Sequence, residues 1–261
     1  MNAVVAASIF YSCKKTITPD LQTIPAQVVI GGEVTDDPGP YTVTINRSTT
    51  FYSDNIFPPL SGAVVKIHDN QGVTDSLTET TPGVYVTHLL QGRAGNTYTL
   101  SVTWNNSTYT AVSTMPAAVV FDSATIEHSA GSRRKTGQTA VVANFQDPPG
   151  VKNYYRFMET INGQPFTKDI FVLDDRLSDG KYISHTLRMD SAYLQPGDRV
   201  QVKMYCVDAP VYNYFFQLDQ SGGTGGFFSA ASPANPESNI NGGAYGYFSA
   251  HTTRSHTVTV Y

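Results

Sequence analysis

The sequence predicts a mostly β protein, with two β-sandwich parts in series and at most one short helix. Three observations predict it. Hydrophobic residues make up 40% and charged residues 15% of 261, with Gly 21, Pro 15, Tyr 16 and Phe 13 beside a single Trp. Aromatic and β-branched side chains suit a pleated, half-buried surface, and Gly and Pro punctuate it. Apolar and polar residues also alternate with a period of two through short runs, and turn-forming clusters fall between those runs. The length allows one large core or two ordinary ones. A formal net charge of -4 supplies no basic field for phosphates, so nucleic acid is not an expected partner.

The chain opens with "MNAVVAASIFYS", which is apolar but shorter than the ~20 residues needed to span a bilayer. Its length fits the apolar region of an export signal, and the small Ser12 before Cys13 fits cleavage and lipid attachment there. Residues 1–13 are therefore expected to be a lipoprotein signal ending at Cys13; the rival reading is an unprocessed strand or tail. Residues 14–26, polar and Pro-bearing, read as a linker between anchor and folded body.

The first sandwich is expected over 27–115. Tyr41, Val43 and Ile45 alternate with Thr42, Thr44 and Asn46, and Ala63, Val65 and Ile67 with Val64, Lys66 and His68. Turn chemistry lies at "DDPGP" (36–40), "FPPLSG" (57–62), "DNQG" (69–72) and "TPG" (81–83). The clearest hairpin places Tyr98, Leu100, Val102 and Trp104 on one face and turns at Asn105-Asn106. Pro116 then interrupts the pattern within "STMPAA".

A second β-rich part is expected over 119–261. Its candidate strands are Val119 to Glu127, Thr139 to Phe145, Tyr154 to Thr160, Ile170 to Leu173, Tyr182 to Leu187 and Val200 to Cys206, with a closing hairpin of Tyr245 to His251 and His256 to Val260. Cys206 shares a face with Val200, Val202 and Met204 and reads as a buried core residue. One short helix is expected over Pro210 to Gln220, with Asp208 as cap, Pro210 in the first turn, and Val211, Phe215 and Leu218 on one face. Four aromatic residues there keep a strand as the competing reading.

The stretch 221–243 has no usable periodicity, and loops of that length are usually functional or disordered. Phe227, Phe228, Asn235, Glu237, Asn239 and Tyr245 combine apolar faces with polar groups and form a candidate binding surface for a glycan or peptide. In the alternative, Tyr245 and Tyr247 fill the core and the loop caps the sandwich.

Asp174, Asp175 and Asp179 in "LDDRLSDG" are a weak candidate for calcium, lacking the spacing of a recognised calcium loop, and a solvated turn is the plainer reading. The histidines lack the His-Glu-x-x-His pattern that would hold zinc, although His251 and His256 are expected near the closing hairpin. No Gly-x-Ser-x-Gly elbow or phosphate loop occurs. No metal or cofactor is expected.

Cys13 with its linker, "VVIGGEVTDDPGPYTVTINRS", "PPLSGAVVKIHDNQGVTDSLTETTPGVYV", "GNTYTLSVT", "FQDPPGVKNYYRF", "DDRLSDG", "LQPGDRVQVKMYCVD" and "NPESNINGGAYGYFSAH" follow one another in order. Together they resemble a family of lipoproteins of Bacteroidetes-type bacteria, the domain of unknown function 4249. The first part also resembles the immunoglobulin-like and transthyretin-like sandwiches of bacterial surface proteins. The resemblance implies an outer-membrane lipoprotein beside TonB-dependent transporters, with an accessory role in nutrient capture and no catalytic residue. Lys14, Lys15 and Thr16 stand where a surface-export signal would place acids, so the periplasmic and cell-surface faces both stay open. The expected function is thus a lipid-anchored envelope accessory or binding protein. A structural or adhesive surface protein is the first alternative, and a hydrolase with an unrecognised site the second.

Overall fold

The computed structural model describes residues 26–49, 57–129, 138–187, 194–222 and 235–261. Cys13, Phe227 and Phe228 lie outside the described residues. The first strands are β1 (Val28–Thr35), β2 (Thr42–Arg47), β3 (Val64–Asp69), β4 (Thr74–Ser76), β5 (Thr78–Thr81) and β6 (Val84–Val86). They are followed by β7 (Thr97–Trp104), β8 (Ser107–Thr114), β9 (Phe121–Ser129), β10 (Gln138–Gln146), β11 (Tyr154–Ile161) and β12 (Gln164–Asp174). Then come β13 (Tyr182–Leu187), β14 (Arg199–Val207), the helix α1 (Ala209–Gly222), β15 (Ile240–Asn241) and β16 (Tyr245–Thr259). The mostly β class expected from composition and alternation is what the chain adopts.

These strands make an eight-stranded sheet in the order β12-β11-β14-β16-β1-β2-β6-β5, a three-stranded sheet β13-β10-β9 and a five-stranded sheet β15-β8-β7-β3-β4. Period-two alternation gives the large sheet two different faces. Its inner face packs at one end with the five-stranded sheet, around Ile30, Val43, Ile45, Tyr98, Leu100 and Phe248. At the other end it packs with the three-stranded sheet, around Phe121, Phe145, Tyr155, Phe157, Val202 and Met204. A third, smaller cluster combines Tyr205, Tyr247, Val211, Tyr212 and Phe215, and so places α1 on the outer face.

The closing hairpin is corrected to one strand of 15 residues. Tyr245 to His251 pair in parallel with β1, and Thr252 to Thr259 pair antiparallel with β14. β16 is therefore the strand through which the halves of the large sheet are hydrogen-bonded together. Ile240, Ala244, Phe248 and Ala250, late in the chain, complete the first core.

Local chemistry explains the turns and the helix. Asn105 and Asn106 take φ of 47° and 64° between β7 and β8, the left-handed pair that a two-residue hairpin requires and that Asn tolerates. Asp208 caps α1 through Oδ1, which accepts the Val211 N–H at 3.3 Å. Its Oδ2 accepts the Ser113 hydroxyl at 2.8 Å and the Thr114 N–H at 3.0 Å, while Ser113 Oγ accepts the Ala250 N–H at 2.8 Å. One polar chain thus joins α1, β8 and β16.

Asp75, buried in β4, accepts the N–H groups of His88, Leu89 and Leu90 on one oxygen at 2.8, 2.6 and 2.9 Å. Burial pushes its carboxyl up, but the Leu89, Leu90 and His88 amides outweigh burial and hold it below the ordinary range. Its contribution is present above the unfolded-state value and is lost as pH falls through the lowered folded value. Asp75→Ala is expected to cost about 3 kcal/mol in urea unfolding at pH 7, because three backbone donors, the Leu90 N–H buried and the other two partly so, lose a charged acceptor. A loss below about 1 kcal/mol would show that water replaces the carboxylate there.

Candidate ligand-binding groove

Gly31 and Glu33 of β1 lie on the outer face, since Ile30 and Val34 fill the inner core. Register sets Gly31 beside Thr44 of β2 and Tyr247 of β16, and Glu33 beside Ser249. Gly31, Glu33, Thr44 and Tyr247, with Thr35 and Thr42, line an open groove of about 480 Å³. Pro38, Pro40 and Tyr41 of the β1–β2 turn complete its rim. Gly31 leaves the floor as bare backbone: a Cβ there would come within 3.1 Å of Thr44 Oγ1.

Glu33 is the charged side chain among the lining residues and remains 39% exposed. Its Oε1 accepts the Tyr247 hydroxyl at 2.8 Å and lies 3.6 Å from Arg156 Nη1 of β11. Arg156, 12% exposed, is pinned from above by α1: its Cζ stands 3.7 Å from the Phe215 ring centroid and 5.8 Å from that of Tyr205. Phe215 and Tyr214 also pack on the Tyr247 ring at 4.7 and 5.2 Å. The helix foreseen from 210 to 220 thus closes over the buried end of the groove's ion pair.

Burial alone would raise the Glu33 carboxyl, but His251, once protonated in acid, together with the Arg156 charge and the Tyr247 hydroxyl brings it below the ordinary range. Burial dominates at His251 and pushes it down to about 4, so at neutral pH the imidazole is uncharged and Arg156 is the cation that holds Glu33 ionised. Burial pushes Tyr205 up to about 12 and raises Tyr247 as well, so both phenols keep their protons, and Tyr247 donates its own to Glu33. His251 Nδ1 lies 2.9 Å from Ser249 Oγ, but both residues are 1% exposed, and this pair is closed to a substrate.

His251 and His256, both expected near the closing hairpin, are on the single strand β16. They lie five positions apart on one strand and on opposite faces. His251 stacks near Tyr205 on the outer side, and His256 Nε2 meets the Phe121 carbonyl at 2.7 Å on the inner side.

Among the described residues, Asn235, Glu237, Asn239 and Tyr245 are not gathered into one cluster. Asn235 and Glu237 are exposed, and Asn239 spends both ends of its amide on the Phe248 backbone, at 2.7 and 2.9 Å. Tyr245 is half-buried at the start of β16 beside Val29.

Asp174 departs from the foreseen carboxylate set to meet Arg176 Nε at 2.7 Å and the Tyr212 hydroxyl at 3.0 Å. Asp175 and Asp179 instead join Asp147, with one ligand atom of each within 4.8 Å of the others. Protein donors meet all three. Tyr155 and Gly180 bond Asp147, Asn153 N–H bonds Asp175 and Gly150 N–H bonds Asp179. The cluster fastens the 147–153 turn to the 175–181 turn.

Fold and groove together define a class: a protein of packed β-sheets with a polar, carboxylate-bearing groove on the outer face of its largest sheet. The chain belongs to the family described as Domain of unknown function (DUF4249), whose model matches residues 14–257. No curated protein matches it.

Proposed function

We propose that this protein is a lipid-anchored, non-catalytic binding module of the bacterial outer membrane, an accessory to TonB-dependent nutrient uptake that offers the β1–β2 groove to its ligand. The observation that carries the binding role is the groove itself, a concave polar site with an ionised Glu33 held from behind by Arg156. Cys13 after a short apolar run supports the address, and the family resemblance supports the uptake context. In this reading Cys13 fixes the chain to the membrane, residues 14–26 give reach, and the groove meets a ligand or partner.

Mass spectrometry of native material is expected to find an acylated Cys13 as the first residue, and Cys13→Ala is expected to move the protein into the soluble fraction. A photo-crosslinking residue at exposed Thr42 is expected to capture ligand or transporter in cells, where the same residue at exposed Thr103 on β7 captures neither. An unmodified Cys13 thiol in soluble native protein overturns the anchor, and equal capture at both positions overturns the groove.

A further inference from the structure

We propose that the groove takes an uncharged, polyhydroxylated ligand, a sugar ring or short glycan, which hydrogen-bonds to Glu33 Oε2 and to the hydroxyls of Thr35, Thr42 and Thr44. This rests on the groove being the binding site.

The two oxygens of Glu33 differ. Oε1 already serves Tyr247 and Arg156, while Oε2 accepts no hydrogen bond from a described residue. An ionised carboxylate is an acceptor only, so a ligand meeting Oε2 must bring a donor. Charge decides which kind. Arg156 stands 3.6 Å from the same carboxylate and is held there by Phe215, so an arriving ammonium would set a second cation against a carboxylate already compensated. An arriving phosphate or carboxylate would face Glu33, the charged group of the lining, with no cation there to receive it. A hydroxyl donates to Oε2 without either cost.

The rest of the lining has the same character. Thr35, Thr42 and Thr44 carry hydroxyls that both donate and accept, the pairing that sugar hydroxyls need. Thr44 already donates to the Gly31 carbonyl at 3.3 Å, which leaves its oxygen facing other donors. The bare backbone at Gly31 lets a ring approach the sheet, and a volume of about 480 Å³ lies within the usual range for small-ligand sites.

Titration calorimetry on the full chain tests this with trisaccharides of differing charge. Maltotriose, cellotriose and chitotriose are neutral, the chitosan trimer is cationic and trigalacturonic acid is anionic; trilysine serves as a cationic peptide. At least one neutral trisaccharide is expected to bind, with the charged probes at least tenfold weaker. Glu33→Gln is expected to weaken that binding about tenfold, as for one hydrogen bond to a charged group, and the exposed Thr42→Val about threefold, as for a neutral one. Thr42→Val leaves the ion pair intact, so its effect does not depend on how well the Glu33 variant folds. Binding of a charged probe alone, weakened by Glu33→Gln, overturns the ligand class while keeping the groove. Binding that neither variant weakens overturns the groove reading itself, and no binding by any neutral probe overturns the class.

Discussion

Gly246→Ala is expected to destabilise the protein by about 4 kcal/mol or more, the range reached when a substitution forces buried elements apart. Gly246 has φ of 102°, a backbone conformation that L side chains rarely adopt, and it lies in β16 directly opposite Ile30. A Cβ there would overlap the Ile30 carbonyl oxygen and crowd the Ile30 carbonyl carbon at 2.9 Å. Both are backbone atoms of a strand whose Ile30 side chain is fully buried, so neither can swing aside. Relief requires β1 to move off β16. Gly31 would then leave Tyr247, and Glu33 would lose the hydroxyl that orients it, so the groove should fail together with the fold.

Gly243→Ala is the control. Its φ is 86°, but a Cβ there meets nothing within 4 Å, so it carries dihedral strain without the collision and is expected to cost about 1 kcal/mol. Thermal unfolding of both variants measures the difference; for a chain of this size ~3 kcal/mol between them corresponds to a Tm gap of roughly 6–12 °C. Equal losses at 243 and 246 would show that backbone conformation alone matters and that the close approach of β1 and β16 does not.

The dependence of the groove on that pairing also explains how much of the protein was legible in its sequence. Local signals were legible where local forces decide. The Asn105-Asn106 turn, the Asp208 cap and the alternation of β14 each rest on residues a few positions apart. The hairpin at Asn162-Gly163, with φ of 52° and 82°, carries an equally local signal, an Asn-Gly pair between two strands. The polar run "HTTRSHT" reads as a break between two strands. It stays a strand because polar partners meet it: Thr253 N–H donates to Asp36 Oδ1 at 2.7 Å, and Arg254 Nη1 to Asp36 Oδ2 at 2.8 Å. The groove had no local signal, since its central hydrogen bond joins residues 214 positions apart. The available hint was a single charge, Glu33 in "IGGEV", on the outward positions of an otherwise uncharged strand.

A second buried acid makes the other large prediction. Glu159→Gln is expected to leave stability nearly unchanged at pH 5 and to make the protein about 4 kcal/mol more stable than the parent at pH 8. Glu159 of β11 points into the second core, opposite Phe166 and Val202, and is 1% exposed. Its Oε1 has no hydrogen-bond partner among the described residues. Burial pushes the carboxyl up to about 8; Asp169 adds to the rise, while its own backbone N–H and Arg156 oppose it. The folded value therefore lies above the unfolded one. Stability from the neutral acid is fully present below the unfolded value of 4.5 and is lost as pH climbs through about 8. At ~1.4 kcal/mol per pH unit, that window is worth about 4–5 kcal/mol, which glutamine cannot lose because it does not ionise. Urea unfolding of parent and variant at pH 5, 6, 7 and 8 checks it: the curves should coincide at the acid end and diverge steadily upward. If the two stay parallel across the range, Glu159 carries its charge in the folded core at little cost, and a cation not visible in its described surroundings must be compensating it.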